Sequence, residues 1–184
     1  MHENTGKPPL FVSVGSLTEN KNTDSLIRAF KLVLDRYPQA VLKIYGSGPL
    51  KEELNKTISD QKLKQHVFLE GVVTRRELAD IYREADCFVL VSHSETFGVS
   101  YIEAMAAGLP VIAGMSGGPE EFINKENGMM VPENDIHQIA DAMCRIYEHA
   151  DEYDRELISR KTAEKYCGEA VADQLVDIYT DLIS

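Results

Sequence analysis

Two glutamates, Glu95 and Glu103, lie in the run SETFGVSYIEAM (residues 94–105) with seven residues between them. Two carboxylates so placed could act on one ligand, or they could be unrelated acids near the start of a helix. The spacing alone does not separate these alternatives, since Glu148 and Glu156 repeat it in a pattern typical of a surface helix. The elements around the two glutamates must therefore decide the matter.

The composition limits the classes of protein and of partner. A chain of 184 residues fits one domain, and 43% hydrophobic with 27% charged residues is typical of a soluble globular protein. A formal net charge of −11 argues against a nucleic-acid partner, because phosphate backbones usually meet a basic surface. A few well-placed N–H groups and one lysine could still bind a small phosphate ligand.

The cysteines and the N-terminal residues indicate a cytoplasmic protein. Cys87, Cys144 and Cys167 lie far apart without paired spacing, so we expect reduced thiols, no disulfide and no metal site. No apolar run is long enough for a signal peptide or a membrane span. Residues 1–9 are polar with two prolines, and we interpret them as a linker to something upstream, with a natural start of the chain as the alternative.

Apolar, β-branched runs alternate with segments of helical periodicity over residues 10–184. Six strands are predicted: 10–15, 40–46, 66–73, 87–92, 109–114 and 128–132. Thr74 and Glu77 are spaced as a capping box before a helix, and a last helix carries Val171, Leu175, Ile178 and Leu182. The alternation predicts an α/β, Rossmann-like, doubly wound parallel six-stranded sheet.

The carboxyl ends of parallel strands meet at one edge of such a sheet, where ligands bind. Gly15 and Lys21 follow the first strand, Gly46 and Gly48 the second, and the glutamate run follows the fourth. Glycines let a backbone approach a ligand, and helix starts bind anions. Each feature also has a plainer explanation, since glycines serve tight turns and a loop lysine is commonly solvated.

The same edge gives the two glutamates a common setting. Glu95 follows a buried strand and precedes a helix start, whose dipole favours an anion. Glu103 lies about one turn beyond Val99, on a helix that is otherwise apolar, so its carboxylate needs a partner. A vicinal diol of a sugar is one such partner, because a carboxylate accepts two hydrogen bonds. The pattern leaves this interpretation and the surface alternative both open.

The chain as a whole resembles a known family. SETFGVSYIEAMAAGLPVIA resembles the donor-site signature of retaining GT-B glycosyltransferases of family 4. VSVGSLTENKNTDSLIRAF, LKIYGSGPLKEEL, VFLEGVVTRRELADIYREADCFVLVS and SGGPEEFI are similar to further segments of that family, in the same order. The resemblance implies the C-terminal half of a GT-B fold, which binds a nucleoside diphosphate sugar.

The resemblance also implies roles for individual residues. Lys21 matches a lysine that neutralises the departing diphosphate, Glu95 a glutamate beside the transferred sugar, and Glu103 the glutamate that holds the ribose. The base would lie against residues 71–73. The implied binding set is Gly15, Ser16, Val73, Thr96, Phe97, Gly98, Val99 and Glu103, with backbone N–H groups of residues 97–99 on the sugar and β-phosphate. Such enzymes generally need no metal, and no cofactor is expected.

Three departures leave alternatives open. Ser16 stands where the family commonly has an arginine, and Thr96 where it has a glycine. The family's N-terminal acceptor domain has no counterpart in the chain. We therefore expect this chain to bind a nucleotide without completing transfer. It would be cytoplasmic, and at the membrane face if the missing domain reaches the membrane. Residues 152–184 would either pack back on the domain or reach toward the missing one. A degenerate nucleotide-binding module and a GT-B epimerase are the alternatives; a phosphorylase is disfavoured because no pyridoxal lysine is found.

Overall fold

The computed structural model describes residues 7–166. Its strands are β1 (Leu10–Val14), β2 (Val41–Tyr45), β3 (Val67–Gly71), β4 (Cys87–Leu90), β5 (Val111–Gly114) and β6 (Gly128–Val131). Its helices are α1 (Thr23–Arg36), α2 (Lys51–Asp60), α3 (Arg75–Glu84), α4 (Val99–Ala106), α5 (Ile136–Glu148) and α6 (Arg155–Tyr166). Short 3-10 turns occupy Glu19–Lys21, Gly118–Glu121 and Ala150–Glu152.

The six predicted strands are confirmed, with shorter ends. The fifth begins at Val111 instead of residue 109, since Pro110 has no N–H to donate to a neighbouring strand. The third ends at Gly71, and Val72 beyond it is 75% exposed. The N-terminal part of the predicted linker and the predicted last helix with Val171 lie outside the described residues.

The strands form one sheet in the order β3-β2-β1-β4-β5-β6, and every neighbouring pair is parallel. The strand order reverses between β1 and β4. Such a switch point leaves a crevice at the carboxyl edge, because the crossovers on its two sides lead to opposite faces of the sheet. The loops after β1 and β4 therefore meet beside the crevice.

Helices cover both faces of the sheet. On one face α1 packs against α2 and α5, and on the other α4 packs against α3 and α6. The central strands β4 and β5 are buried along their whole length, as parallel strands between two helical layers must be. Phe88 of β4 makes edge-on contacts with Tyr82 of α3 and Tyr101 of α4, with ring centroids 5.8 and 5.4 Å apart. These rings hold α3 and α4 against the sheet.

The ends of α3 are fixed by side chains. The predicted capping box is confirmed: Thr74 Oγ1 accepts from the N–H of Glu77 at 3.3 Å, and the N–H of Thr74 donates to Glu77 Oε2 at 2.8 Å. At the other end Arg155 of α6 donates to the carbonyls of Ala85 and Tyr82, at 3.0 and 3.1 Å. Arg155 thereby ties α6 to α3.

No helix within residues 7–166 is long and apolar enough to cross a membrane.

Candidate functional site

Lys21 and Glu95 meet at the switch point. Lys21 Nζ donates to Glu95 Oε2 at 2.6 Å, and Ser92 Oγ lies 3.2 Å from the same oxygen. The two side chains are only 19% and 16% exposed, so water screens this ion pair less than a surface pair. The methylene stem of Lys21 runs beside Gly15, where an added Cβ would lie 3.6 Å from it. The structure thus brings together Gly15, Lys21 and Glu95, all of which the sequence predicts to lie at this edge.

Asn20 joins the two loops that carry this pair. Its side-chain amide donates to the carbonyl of Ser94 at 2.9 Å and accepts from the N–H of Ser94 at 3.1 Å. Its own carbonyl accepts from the N–H of His93 at 2.8 Å. We call these three hydrogen bonds the Asn20 clasp. Asn20 is not among the site residues predicted from the sequence, where its position beside Lys21 is the one signal for it.

The loop that carries Glu95 also pairs with the loop after β5. The N–H of Glu95 donates to the carbonyl of Ser116 at 2.9 Å, and the N–H of Gly118 donates to the carbonyl of Glu95 at 2.8 Å. A Cβ on Gly118 would lie 2.5 Å from the carbonyl oxygen of Thr96. Gly118 therefore permits close packing of the two loops.

A similar constraint applies at the loops after β1 and β2. Gly46 has a φ of 146°, and a Cβ there would lie 1.8 Å from the carbonyl oxygen of Gly15. The packing of the two loops accounts for glycine at position 46 without a ligand.

The start of α4 lies directly after Glu95. Gly98 is the N-cap residue with a φ of 87°, a left-handed conformation that favours glycine, and no side chain caps this end. Phe97 and Val99 on either side of it are 45% and 58% exposed, and Thr96 is exposed as well. Uncapped N–H groups at an accessible helix start can bind an anion.

Gly15, Ser16 and Val73 line one pocket at the edge of the sheet, with a volume of about 270 Å³. Ser16 is exposed, and its hydroxyl lies 3.3 Å from that of Thr18. Leu78 forms part of the wall. The pocket therefore joins the loop after β1 to the loop after β3.

Glu103 is not part of the ion pair. It lines a cleft of about 570 Å³ between α3, α4 and α6, and Arg75 and Tyr82 are in the same wall. Leu78 belongs to this wall too, so the cleft adjoins the Ser16 pocket. The side chain of Glu103 is half-buried and has no hydrogen-bond or ion-pair partner among the described residues.

Within the described part of the chain, no group of three or more His, Cys, Asp and Glu side chains is arranged to hold a metal ion. Among the charged residues near this edge, Lys21 and Glu95 pair with each other, and Glu103, Arg75 and Arg83 line the adjoining cleft.

A parallel sheet with its loops gathered at the switch point is a Rossmann-like nucleotide-binding architecture, and solved glycosyltransferases share it. The pneumococcal O-GlcNAc transferase GtfA, in a complex with UDP and GlcNAc, is 25% identical with a TM-score of 0.82 over 96% of this chain. The sucrose-phosphate synthase of Thermosynechococcus elongatus is 28% identical, with a TM-score of 0.84 over 96% of this chain. The chain belongs to the family described as glycosyl transferases group 1, whose family model matches residues 2–164.

A curated relative leads to the same family. The GDP-mannose-dependent alpha-(1-6)-phosphatidylinositol monomannoside mannosyltransferase of Mycobacterium tuberculosis is 34% identical over 149 residues, or 77% of this chain. The chain spans 39% of that relative, 36% of the pneumococcal chain and 46% of the sucrose-phosphate synthase chain. It therefore corresponds to less than half of each.

Proposed function

We propose that this chain is the donor-binding domain of a retaining glycosyltransferase. It would bind a nucleoside diphosphate sugar, from which the sugar passes to an acceptor held by a domain outside this chain. The observation that carries the proposal is the Lys21–Glu95 ion pair at the switch point, in a chain of this family. The free, buried thiols of Cys87 and Cys144 fit a cytoplasmic location.

The chemistry of the pair supports this assignment. When the bond to the sugar breaks, negative charge grows on the diphosphate, and a nearby ammonium group and helix start stabilise that charge. Lys21 and the start of α4 supply both, so the proposal requires no metal at the diphosphate. Glu95, on the other side of the contact, would accept hydrogen bonds from the sugar hydroxyls and stabilise positive charge at the anomeric carbon.

The two pockets support a nucleotide that spans the edge of the sheet. We assign the diphosphate to the end of the Ser16 pocket that Gly15 and Ser16 form, and the base to the backbone near Val73. The ribose hydroxyls would then bind Glu103 in the adjoining cleft. The shared wall residue Leu78 makes the Ser16 pocket and the Glu103 cleft neighbours, as one continuous ligand needs. Glu95 and Glu103 would then bind different parts of one donor.

A nucleotide-binding module that has lost catalysis is the second candidate, and Ser16 favours it. An exposed serine hydroxyl beside Thr18 supplies no positive charge to the diphosphate. Arg75, which could compensate, lines the Glu103 cleft and is absent from the wall of the Ser16 pocket. Replacing Lys21 and Glu95 in a protein that carries both domains separates the candidates, because unchanged transfer would exclude the catalytic assignment.

Calorimetric titration of the 184-residue chain with UDP, GDP and ADP tests the proposal. We expect at least one nucleotide to bind with a Kd below about 1 mM, and Lys21→Ala to weaken that binding roughly tenfold. Lys56→Ala is the matched control, because Lys56 is an exposed lysine on α2 and its loss should leave the affinity unchanged. Absence of binding by all three nucleotides at millimolar concentration would overturn the assignment.

A further inference from the structure

The hydroxyl of Tyr82 is buried without a partner. Tyr82 is 2% exposed, and its hydroxyl is the one buried side-chain polar atom in residues 7–166 that has no hydrogen-bond partner. A buried unpaired hydroxyl destabilises the folded state, and such groups are rare in proteins. The edge-on contact of its ring with Phe88 would be equally available to phenylalanine. The packing of the core therefore does not explain why position 82 carries a hydroxyl.

Tyr82 and Glu103 line the same cleft, from α3 and α4 respectively. Glu103 is the only carboxylate among the residues described in that wall, whose other charged members are Arg75 and Arg83. Burial raises the pKa of Tyr82, and the nearby charge of Glu103 raises it further, so the phenol remains a proton donor at neutral pH. The hydroxyl and the carboxylate thus influence each other electrostatically, although no hydrogen bond joins them.

A phenol donor and a carboxylate acceptor that line one cleft without hydrogen-bond partners in residues 7–166 could both be satisfied when a ligand binds. A carboxylate has about four acceptor positions, and a ribose diol would occupy two of them. When the ligand binds, a hydroxyl donor on a third position would hold the carboxylate in the orientation that the diol contact requires, and the hydroxyl would gain the partner that it lacks among the described residues.

We propose that Tyr82 is a positioning residue of the nucleotide site: when a nucleoside diphosphate binds, the Tyr82 hydroxyl donates a hydrogen bond to Glu103 and orients its carboxylate toward the ribose hydroxyls. This inference rests on the proposed function, since it requires the ribose to lie at Glu103. Tyr82 would thus act through Glu103, without contact to the transferred sugar or the diphosphate.

The nucleotide affinity of Tyr82→Phe in the 184-residue chain tests the proposed role of Tyr82. The probes are the nucleotide that the wild type binds best among UDP, GDP and ADP, and the 2′,3′-dideoxy form of that nucleotide. We expect the variant to bind the ribonucleotide roughly tenfold more weakly and the dideoxy form as the wild type does, since the lost hydrogen bond acts through the diol contact. The melting temperature should stay the same or rise, because an unpaired buried hydroxyl is removed.

Two further variants isolate the effect. Tyr153→Phe removes a phenol oxygen from another buried tyrosine, one that lines neither pocket, and should leave both affinities unchanged. In Glu103→Ala, which leaves no acceptor for the phenol, the additional change Tyr82→Phe should cost no further affinity for the ribonucleotide, because coupled residues give non-additive losses.

The outcomes distinguish this inference from the proposed function. Ribonucleotide affinity unchanged in Tyr82→Phe, or equal losses for both probes, overturns the role of Tyr82 and leaves the nucleotide site standing. A large fall in melting temperature with no selective loss for the ribonucleotide assigns the hydroxyl a structural role instead. A wild type that binds none of the three nucleotides overturns both proposals together.

Discussion

Lys21 and Glu95, 74 positions apart in the sequence, form a 2.6 Å ion pair at the point where the strand order reverses. In the proposed complex each residue has a different partner, the lysine the diphosphate and the glutamate the sugar. Glu95 therefore competes with the nucleotide for the lysine.

That competition gives the first prediction. Glu95→Gln should release Lys21, so that the nucleoside diphosphate without a sugar binds roughly two- to tenfold more tightly. The sugar nucleotide should gain less, because it loses its contact with the carboxylate. Isothermal titration with the nucleotide and its sugar conjugate measures both effects. Glu52→Gln, an exposed change on α2, is the control, and weaker binding of the free nucleotide to Glu95→Gln would contradict the exchange of partners.

The Asn20 clasp gives the second prediction. Asn20→Ala removes two hydrogen bonds to Ser94 and should lower the free energy of unfolding by about 1–2 kcal/mol. Nucleotide affinity should fall several-fold, since the loop that carries Lys21 is no longer held against the loop that carries Glu95. Chemical denaturation and titration check the two effects. Asn55→Ala on the exposed side of α2 provides the comparison, and equal effects of both changes would show that the clasp contributes nothing specific.

Gly118 gives the third prediction. In Gly118→Ala the new methyl group would lie 2.5 Å from the carbonyl oxygen of Thr96, so the loops after β4 and β5 must separate. We expect a loss of about 2 kcal/mol in the free energy of unfolding, measured by urea denaturation. Gly15→Ala is the matched change for stability, because its methyl group would meet the Lys21 stem at an ordinary 3.6 Å. Similar losses for the two variants would argue against the close approach.

The capping box of α3 gives a prediction about pH. The hydroxyl and the backbone N–H of Thr74 lower the pKa of Glu77 in the folded state. The stabilisation is complete above the pKa of Glu77 in the unfolded chain and is lost as the pH falls through its lower, folded pKa. Wild type should therefore be more stable than Glu77→Gln at pH 7, and the difference should shrink in acid. Melting temperatures of both proteins from neutral to acidic pH measure the difference in stability. A difference that does not change with pH would contradict the prediction.

The sequence by itself determined the local elements. Six apolar runs became six strands, the Thr74–Glu77 spacing became a capping box, and Lys21 and Glu95 were placed in loops after strands. These features are readable because a buried parallel strand, a capped helix start and a turn each depend on residues a few positions apart. The family followed from the order of such segments along the chain.

The tertiary structure alone decided which of these elements are neighbours. Local periodicity does not encode strand order, so the sequence could not show that β1 lies beside β4 and brings Lys21 to Glu95. For the same reason it gave no sign that Glu103 shares a cleft with the unpaired hydroxyl of Tyr82. Both relationships depend on packing between distant segments. The two glutamates eight positions apart accordingly have different surroundings, one in an ion pair and the other in a cleft without a hydrogen-bond or ion-pair partner among the described residues.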